Sequence, residues 1–325
     1  SVKIDKKVGQ IFKILTLPVL IREVSMKKIV VIGGSVIDIF AYPHHRMIMN
    51  DSNPGYLRKS MGGVGRNIAE NLVRLGLDTT LITVLGDDDA GMFIKDSCKN
   101  LGLKLSIVDV ATTPTYLCIM DEHNEDLISV AAMDQIEELN ETSLSKRKKI
   151  IDQADILIVD TNLSIETLTY IFDTYDKDIY VDTISSQKAV KIKPFLSKIN
   201  TLKLNRLEAE LLSGIHHEDE KDIYRIGDYF IAHGVKEVFI TLGSNGSLHM
   251  SNKISRFKPS YRVPVLNSTG AGDAFFAGVI YAKLNDLDPL IYGSASAIVN
   301  LQDEKAVSSD LTVQKLDETI KEYKL

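Results

Sequence analysis

Short apolar runs alternate with amphipathic stretches along most of this chain. Residues 28–33 read Lys-Ile-Val-Val-Ile-Gly, and a continuous apolar run closed by glycine suits a strand buried on both faces of a parallel sheet. Comparable runs recur at 79–86, 155–160, 178–182, 201–204 and 237–243. Between them the apolar positions shift to a helical spacing. Ile68, Leu72 and Leu75 fall on one face of a helix that Gly76 would end, and 223–233 and 311–323 repeat the pattern. Strand and helix in alternation predict a mostly parallel central sheet covered on both faces, an α/β/α sandwich of three layers.

Two stretches break this rhythm. Residues 37–61 are too long for a simple strand-to-helix turn and contain the turn Asp51-Ser52-Asn53-Pro54-Gly55. Residues 115–120 and 126–131 read as two strands joined by the polar connection 121–125, a hairpin signal. Long insertions with apolar content are commonly ordered and functional. The two, about 38–61 and 113–132, are expected to build a small β lid over a site. At the start of the chain, the apolar stretch 11–21 is interrupted by Lys13 and Pro18. It is too short to span a bilayer, and no small-x-small cleavage site follows it. Residues 1–25 are read as an extension of unknown role, and 26–325 as one domain starting at Met26-Lys27-Lys28.

Charge and cysteines narrow the partners. The 325 residues carry a formal net charge of −6, which argues against a phosphate-backbone partner. The densest basic run, Lys146-Arg147-Lys148-Lys149, follows acidic residues and reads as a solvated helix face. Cys98 and Cys118 show neither CxxC nor metal-ligand spacing, so a reducing cytoplasm is expected. The pairs His44-His45 and His216-His217 lack the spacing that would put two ligands on one helix face.

Chemistry concentrates in two glycine turns that enter helices. Asn267-Ser268-Thr269-Gly270-Ala271-Gly272-Asp273 precedes an apolar helix beginning near Ala271. Free amides at such a helix start, with the dipole behind them, can hold the oxyanions of a transferring phosphoryl group. Asp273 on the first turn could accept the proton of an attacking hydroxyl. Taken alone, it reads equally well as an acidic helix-start residue that complements the dipole. The second turn, Gly62-Gly63-Val64-Gly65-Arg66-Asn67, matches neither GxGxxG nor GxxxxGK[ST], so neither a dinucleotide fingerprint nor a P-loop is indicated. Asp38 follows the first strand. Since strand carboxyl ends form the ligand crevice of a parallel sheet, Asp38 and Asn67 could meet there.

With these two segments the chain resembles the ribokinase, or PfkB, family of carbohydrate and nucleoside kinases, from about Met26 to the C-terminus. The resemblance implies a ribokinase-like kinase domain using ATP and Mg²⁺. Asp273 would be the catalytic base, and the backbone of Gly270, Ala271 and Gly272 the anion hole. Asp38, Gly62, Gly63 and Asn67 would bind sugar hydroxyls. Asn205-Arg206-Leu207-Glu208 looks like the family's NxxE motif, implying that Asn205 and Glu208 organise Mg²⁺ and phosphate, Glu208 through water. On its own the pair also reads as a helix cap with its partner three residues on. Thr241-Leu242-Gly243-Ser244-Asn245-Gly246 looks like the nucleotide loop, with Thr241, Gly243 and Gly246 as contacts.

Ribokinases usually read Gly-Gly-Lys-Gly-Ala-Asn where this chain has Val64 and Arg66. Those departures, together with Asn53 in its turn and Asp160-Thr161-Asn162, are similar to the pseudouridine-phosphorylating branch of the family. The implied reaction is γ-phosphoryl transfer from ATP to the 5′-hydroxyl of pseudouridine, with Asn53 and Asn162 as further substrate contacts. Ribose or another nucleoside is the alternative acceptor. A nucleoside-binding regulatory protein without turnover is the alternative of another class. Members that need a monovalent cation carry Asp where this chain has Asn267, which weakens a potassium site. Asp182 and Lys188 face either phosphate groups or each other across a sheet edge. A homodimer through the lid, with no nucleic-acid or membrane partner, completes the expectation.

Overall fold

The computed structural model describes residues 27–325, so the 1–25 extension lies outside the described residues. Its strands are β1 (Ile29–Ile32), β2 (Val36–Pro43), β3 (Gly55–Gly62), β4 (Thr79–Gly86), β5 (Lys104–Val110), β6 (Thr115–Met120) and β7 (Asp126–Ala132). They continue with β8 (Ile156–Asp160), β9 (Asp178–Asp182), β10 (Thr201–Asn205), β11 (Glu237–Thr241), β12 (Ser247–Ser251) and β13 (Ser255–Lys258). The large sheet runs β13-β12-β11-β10-β9-β8-β1-β4-β5. It is parallel from β11 through β5, and β12 and β13 add an antiparallel edge.

The apolar runs work because successive side chains enter opposite layers. From β1, Val30 and Ile32 join one buried cluster while Ile29 and Val31 join the other. In β8, Leu157 and Val159 pack with the first, Ile156 and Ile158 with the second. The expected helix spans Val64–Arg74, with Ile68, Leu72 and Leu75 buried. Gly76 follows at φ +80°. This helix and helix Ala271–Leu284 both supply the second cluster through Ile68, Leu72, Phe275 and Phe276. They therefore lie on the same face of the sheet.

Strand order reverses at β1. The chain goes on to β4 and β5 on one side, and fills β8 through β11 on the other. In an open α/β sheet that reversal opens a crevice at the strand carboxyl ends. The second sheet, β3-β2-β6-β7, is built from both insertions and springs from this edge, with Gly33, Gly34 and Ser35 between β1 and β2.

Some elements depart from the sequence reading. Strands β5, β12 and β13 were not foreseen: β5 and β13 are edge strands with interspersed polar residues, and β12, though buried between β11 and β13, has its apolar positions interrupted by serine and histidine. The basic run is not wholly solvated. Arg147 turns inward and donates to Ser106 Oγ at 3.1 Å, Ser143 O at 2.8 Å and the Ile107 carbonyl, pinning β5. Asp182 and Lys188 do not pair across a sheet edge. Asp182 ends an interior strand and meets Lys203, while Lys188 donates to Asn162 Oδ1.

Candidate active site

Helix Ala271–Leu284 begins at a turn that its own residues hold open. Asn267 Oδ1 accepts from Thr269 N at 2.9 Å, and Asn267 Nδ2 donates to Glu304 O at 2.9 Å. Gly270 caps the helix at φ +78°, and a Cβ there would collide with the carbonyl of Ala306. The amides of Gly272 and Asp273 have no partner within the first helical turn, and Gly272 borders an open cavity. Beneath Gly272 the sheet presents Lys203, whose Nζ lies 2.8 Å from where a Cβ of Gly272 would stand. Backbone donors, a helix dipole and a buried ammonium thus converge on one spot suited to an anion.

Asp273 follows on the same turn and is buried. Its Oδ2 accepts from Asn67 Nδ2 at 2.7 Å, although the two residues stand 206 positions apart in sequence. The contact arises because two neighbouring helices on one face of the sheet start at the same edge. Burial, reinforced by the Asp182 carboxylate, pushes the Asp273 carboxyl up to about 7 against the opposing pull of Lys203 and Asn67. A carboxyl poised there can exchange a proton near neutral pH.

Asp160, at the end of β8, ties the crevice together. Its Oδ2 accepts from Gly34 N at 3.2 Å and Gly65 N at 3.0 Å, and its Oδ1 from Asn162 N at 2.9 Å. Burial raises this carboxyl to about 6 despite the three amides. Asp38, on β2, lies directly against Gly62, leaving no room for a Cβ at that glycine. Burial raises Asp38 to about 6, with the Arg66 charge working in the other direction. Gly63 caps helix Val64–Arg74 at φ +93°. Asp38, Gly62, Gly63, Asn67, Asp160 and Asp273 therefore gather around the strand reversal. Asn162 borders them, its carbonyl oxygen engaged by Lys188. Asn53 is not brought there. It sits in the β2–β3 connection, bonded to Ile48 N at 2.8 Å, Ile48 O at 3.0 Å and Asp51 O at 3.0 Å.

Gly272 also lines a cavity of about 880 Å³, together with Thr241, Gly243, Gly246, Tyr261, Ala271 and others. Three residues assigned from the sequence to a nucleotide loop thus share one space with two assigned to an anion hole. Asn205 and Glu208 form a reciprocal capping box. Asn205 Oδ1 accepts from Glu208 N at 3.0 Å, and Glu208 Oε2 from Asn205 N at 2.7 Å. Glu208 also accepts from Asn205 Nδ2 and Thr183 Oγ1, each at 2.6 Å. The bland reading of this pair as a helix cap is therefore literally realised, and both Glu208 oxygens already have donors.

Asp182 and Lys203 complete the floor. Their ion pair measures 2.9 Å but is too poorly aligned to satisfy the buried Asp182 Oδ2 as a hydrogen bond. Burial alone would lower the Lys203 ammonium, yet Asp182, Asp273 and Glu208 together raise it above the ordinary lysine range. No group of three or more His, Cys, Asp and Glu forms a metal cage among the described residues. An ion held mainly by phosphates and water asks for only one or two carboxylates. Asp182, with its incompletely satisfied oxygen, and Glu208 fit that need.

Sequence reasoning missed Lys203, Asp160 as a clamp, and the Tyr261 wall of the cavity. Lys203 had one available signal, a lysine inside an otherwise apolar strand run. Tyr261 follows β13 in a stretch with no helical or strand period, and offered none.

Comparison with known proteins agrees with this geometry. The family model of the pfkB family carbohydrate kinases matches residues 26–312. The chain is 34% identical over 256 residues to the pseudouridine kinase of Escherichia coli strain K12, covering 77% of this chain and 82% of that one. Among solved structures, a carbohydrate kinase from Agrobacterium tumefaciens superposes with a TM-score of 0.80 at 27% identity, over 91% of this chain and 97% of the other. The ribokinase of Arabidopsis thaliana, solved with ribose and ATP, gives a TM-score of 0.76 at 20% identity, over 91% and 99%. The last shows the fold alone. The regulatory alternative without turnover gives way to a phosphotransferase with an alcohol acceptor. The chain belongs to the pfkB family of carbohydrate kinases.

Proposed function

We propose that this kinase transfers the γ-phosphoryl group of ATP to the 5′-hydroxyl of pseudouridine. One observation carries the reading. Gly272 lines the large cavity, and the next residue, Asp273, is bonded to Asn67, which does not line it. An acceptor hydroxyl and a nucleotide would therefore meet at the same backbone donors. The cavity would take the nucleotide along Thr241, Gly243 and Gly246. The unpartnered amides of Gly272 and Asp273, with Gly270 and Ala271 setting the turn, would hold the transferring group over Lys203. Asp38, Gly62, Gly63, Asn67 and Asn162 would orient the acceptor. Asp273 Oδ1, left free by the Asn67 contact to Oδ2, would take the hydroxyl proton. Asn53 would join only when the β2–β3 hairpin folds over the crevice, a closure that would also exclude water.

Bound Mg²⁺ would neutralise phosphate charge in the transferring nucleotide. Glu208, positioned by Asn205, would support it through water, and Asp182 would lie close by. The choice of pseudouridine rests on the similarity to the Escherichia coli enzyme and on the Val64 and Arg66 departures from the ribokinase pattern. Asn267 bonds within its own turn, which supports an enzyme that needs no potassium. The small sheet leaves Leu57, Leu127, Ile128 and Val130 exposed, which supports a homodimer through that sheet. The free, buried Cys98 and Cys118 fit a reducing cytoplasm.

Initial rates with pseudouridine, uridine, adenosine and ribose at saturating Mg-ATP test the acceptor. Pseudouridine should give the highest kcat/KM. A clear preference for ribose would remove the assignment and leave a ribokinase.

A further inference from the structure

Arg66 is among the largest fully buried side chains of the described residues, at 2% exposure, and no step of the transfer above is assigned to it. Its guanidinium makes four contacts. Nε donates to Gly62 O at 3.2 Å, Nη2 to Met61 O at 3.1 Å and to Asn67 Oδ1 at 2.6 Å, and Nη1 pairs with Glu70. Glu70 is held in turn by Arg74, whose Nε and Nη2 reach Glu70 Oε1 at 3.0 and 2.8 Å. Arg74 Nη1 donates to Ser309 O at 3.1 Å.

An asparagine amide has two faces of opposite character, and a half-turn about its last bond exchanges them. Beside Asp273 only one orientation is useful. Nδ2 toward the carboxylate gives a hydrogen bond, whereas Oδ1 toward it sets two acceptors against each other. A guanidinium has donors and no acceptor, so a buried arginine on Oδ1 selects that orientation. The same group grips the last two carbonyls of β3, where the small sheet joins the helix. A lysine could offer a charge, but not this planar fork reaching several acceptors at once.

We propose that Arg66 is a positioning residue of the transfer site, fixing the Asn67 amide so that it donates to Asp273 while anchoring the root of the small sheet. This rests on the reading of Asp273 as the base. Four groups bear on Asp273 besides any substrate: Asn67 from the neighbouring helix, Asp160 from β8, Asp182 from β9 and Lys203 from β10. Of these, Asn67 is the one Arg66 touches.

The test uses the full chain as wild type, Arg66→Met, Arg66→Lys and the double variant Arg66→Met/Glu70→Gln. The double variant guards against misfolding from an unpaired buried carboxylate. Two readouts are taken. One is kcat and KM as functions of pH. The other is the side-chain amide ¹⁵N resonance of Asn67, assigned by its loss in Asn67→Ala. Arg66→Met should lower kcat about 10- to 100-fold, with KM for ATP changed less than about twofold, as expected for loss of orientation in the transition state. The acid limb of kcat/KM should move to higher pH, the Asn67 resonance should shift, and Arg66→Lys should restore only part of the rate. A folded double variant with kcat within about twofold of wild type overturns the proposal. If wild type transfers no phosphate to any acceptor, the base assignment fails separately. The Asn67 resonance then decides alone, and an unmoved signal in Arg66→Met overturns the positioning role.

Discussion

Two glycine turns enter two neighbouring helices at the same edge of the sheet, yet their amides face opposite fates. At Gly62–Asn67 the protein answers its own donors: Gly65 N goes to Asp160, Arg66 N to Gly34 O at 3.3 Å and Asn67 N to Gly63 O at 2.8 Å. At Gly270–Asp273 the amides of Gly272 and Asp273 find no acceptor among the described residues, and a lysine waits below them. The first turn is closed and builds a scaffold. The second is open and can receive a charge. The sequence motifs look alike because both need glycine, but a glycine can serve close packing against protein or close approach by a ligand. Only the neighbours tell which.

The comparison breaks most sharply at Asp273. Asp273→Asn should retain ATP binding by calorimetry while turnover falls by about a hundredfold or more, the usual effect of removing a general base. Near-normal turnover would return Asp273 to an ordinary helix-start acid. Next come the glycines themselves. Gly272→Ala places a methyl against a movable lysine terminus, so it should cut kcat at least about tenfold through the anion site and leave the melting temperature nearly unchanged. Gly65→Ala pushes a methyl toward the Gly33 backbone and Asp160. Its loss should appear as stability, about 1–3 kcal/mol by thermal unfolding. If both substitutions act alike, the open-versus-closed distinction is wrong.

Smaller effects follow from proton binding. Asp273 sits at about 7 in the fold, above the ordinary carboxyl value of 3.8. Its ionised form is therefore penalised by folding, and the stability present below pH 4 is lost as pH rises through 7. Asp273→Asn should then raise the melting temperature at pH 8 by a few degrees, corresponding to about 1–3 kcal/mol, and have little effect at pH 4. An equal gain at both values would assign the effect to packing. In the wild type, kcat/KM should rise with pH through about 7 as the base ionises. Least of all, adding potassium should change the rate by less than about twofold, since Asn267 supplies no carboxylate to a hard cation.

The central strands were legible because a strand buried on both faces cannot hide its composition, and 28–33 and 155–160 announce themselves as apolar runs. The two turns were legible for a related reason, that glycine and aspartate at a helix start have few interchangeable substitutes. The edge strands β5 and β13 escaped because they stay partly exposed and mix polar with apolar residues, and β12 because serine and histidine interrupt its apolar positions. Lys203 and Asp160 escaped differently. Each is an ordinary charged residue in sequence, and acquires its meaning from the strand order that sets β8 beside β1 and β10 under helix Ala271–Leu284. Glu208 shows the converse. Its cap and its suggested link to the metal occupy the same atoms, so no reading of the pair alone could separate them.

Asp38 belongs to β2, and so to the small sheet, whereas Asp273 stands on a helix packed against the large sheet. An acceptor gripping both carboxylates would act as a latch, its own binding drawing the two parts of the molecule together. Water is too small to bridge them and offers no such pull. Futile consumption of ATP in the absence of acceptor should accordingly be slow, and a ribose-sized alcohol lacking a phosphorylatable hydroxyl should quicken it.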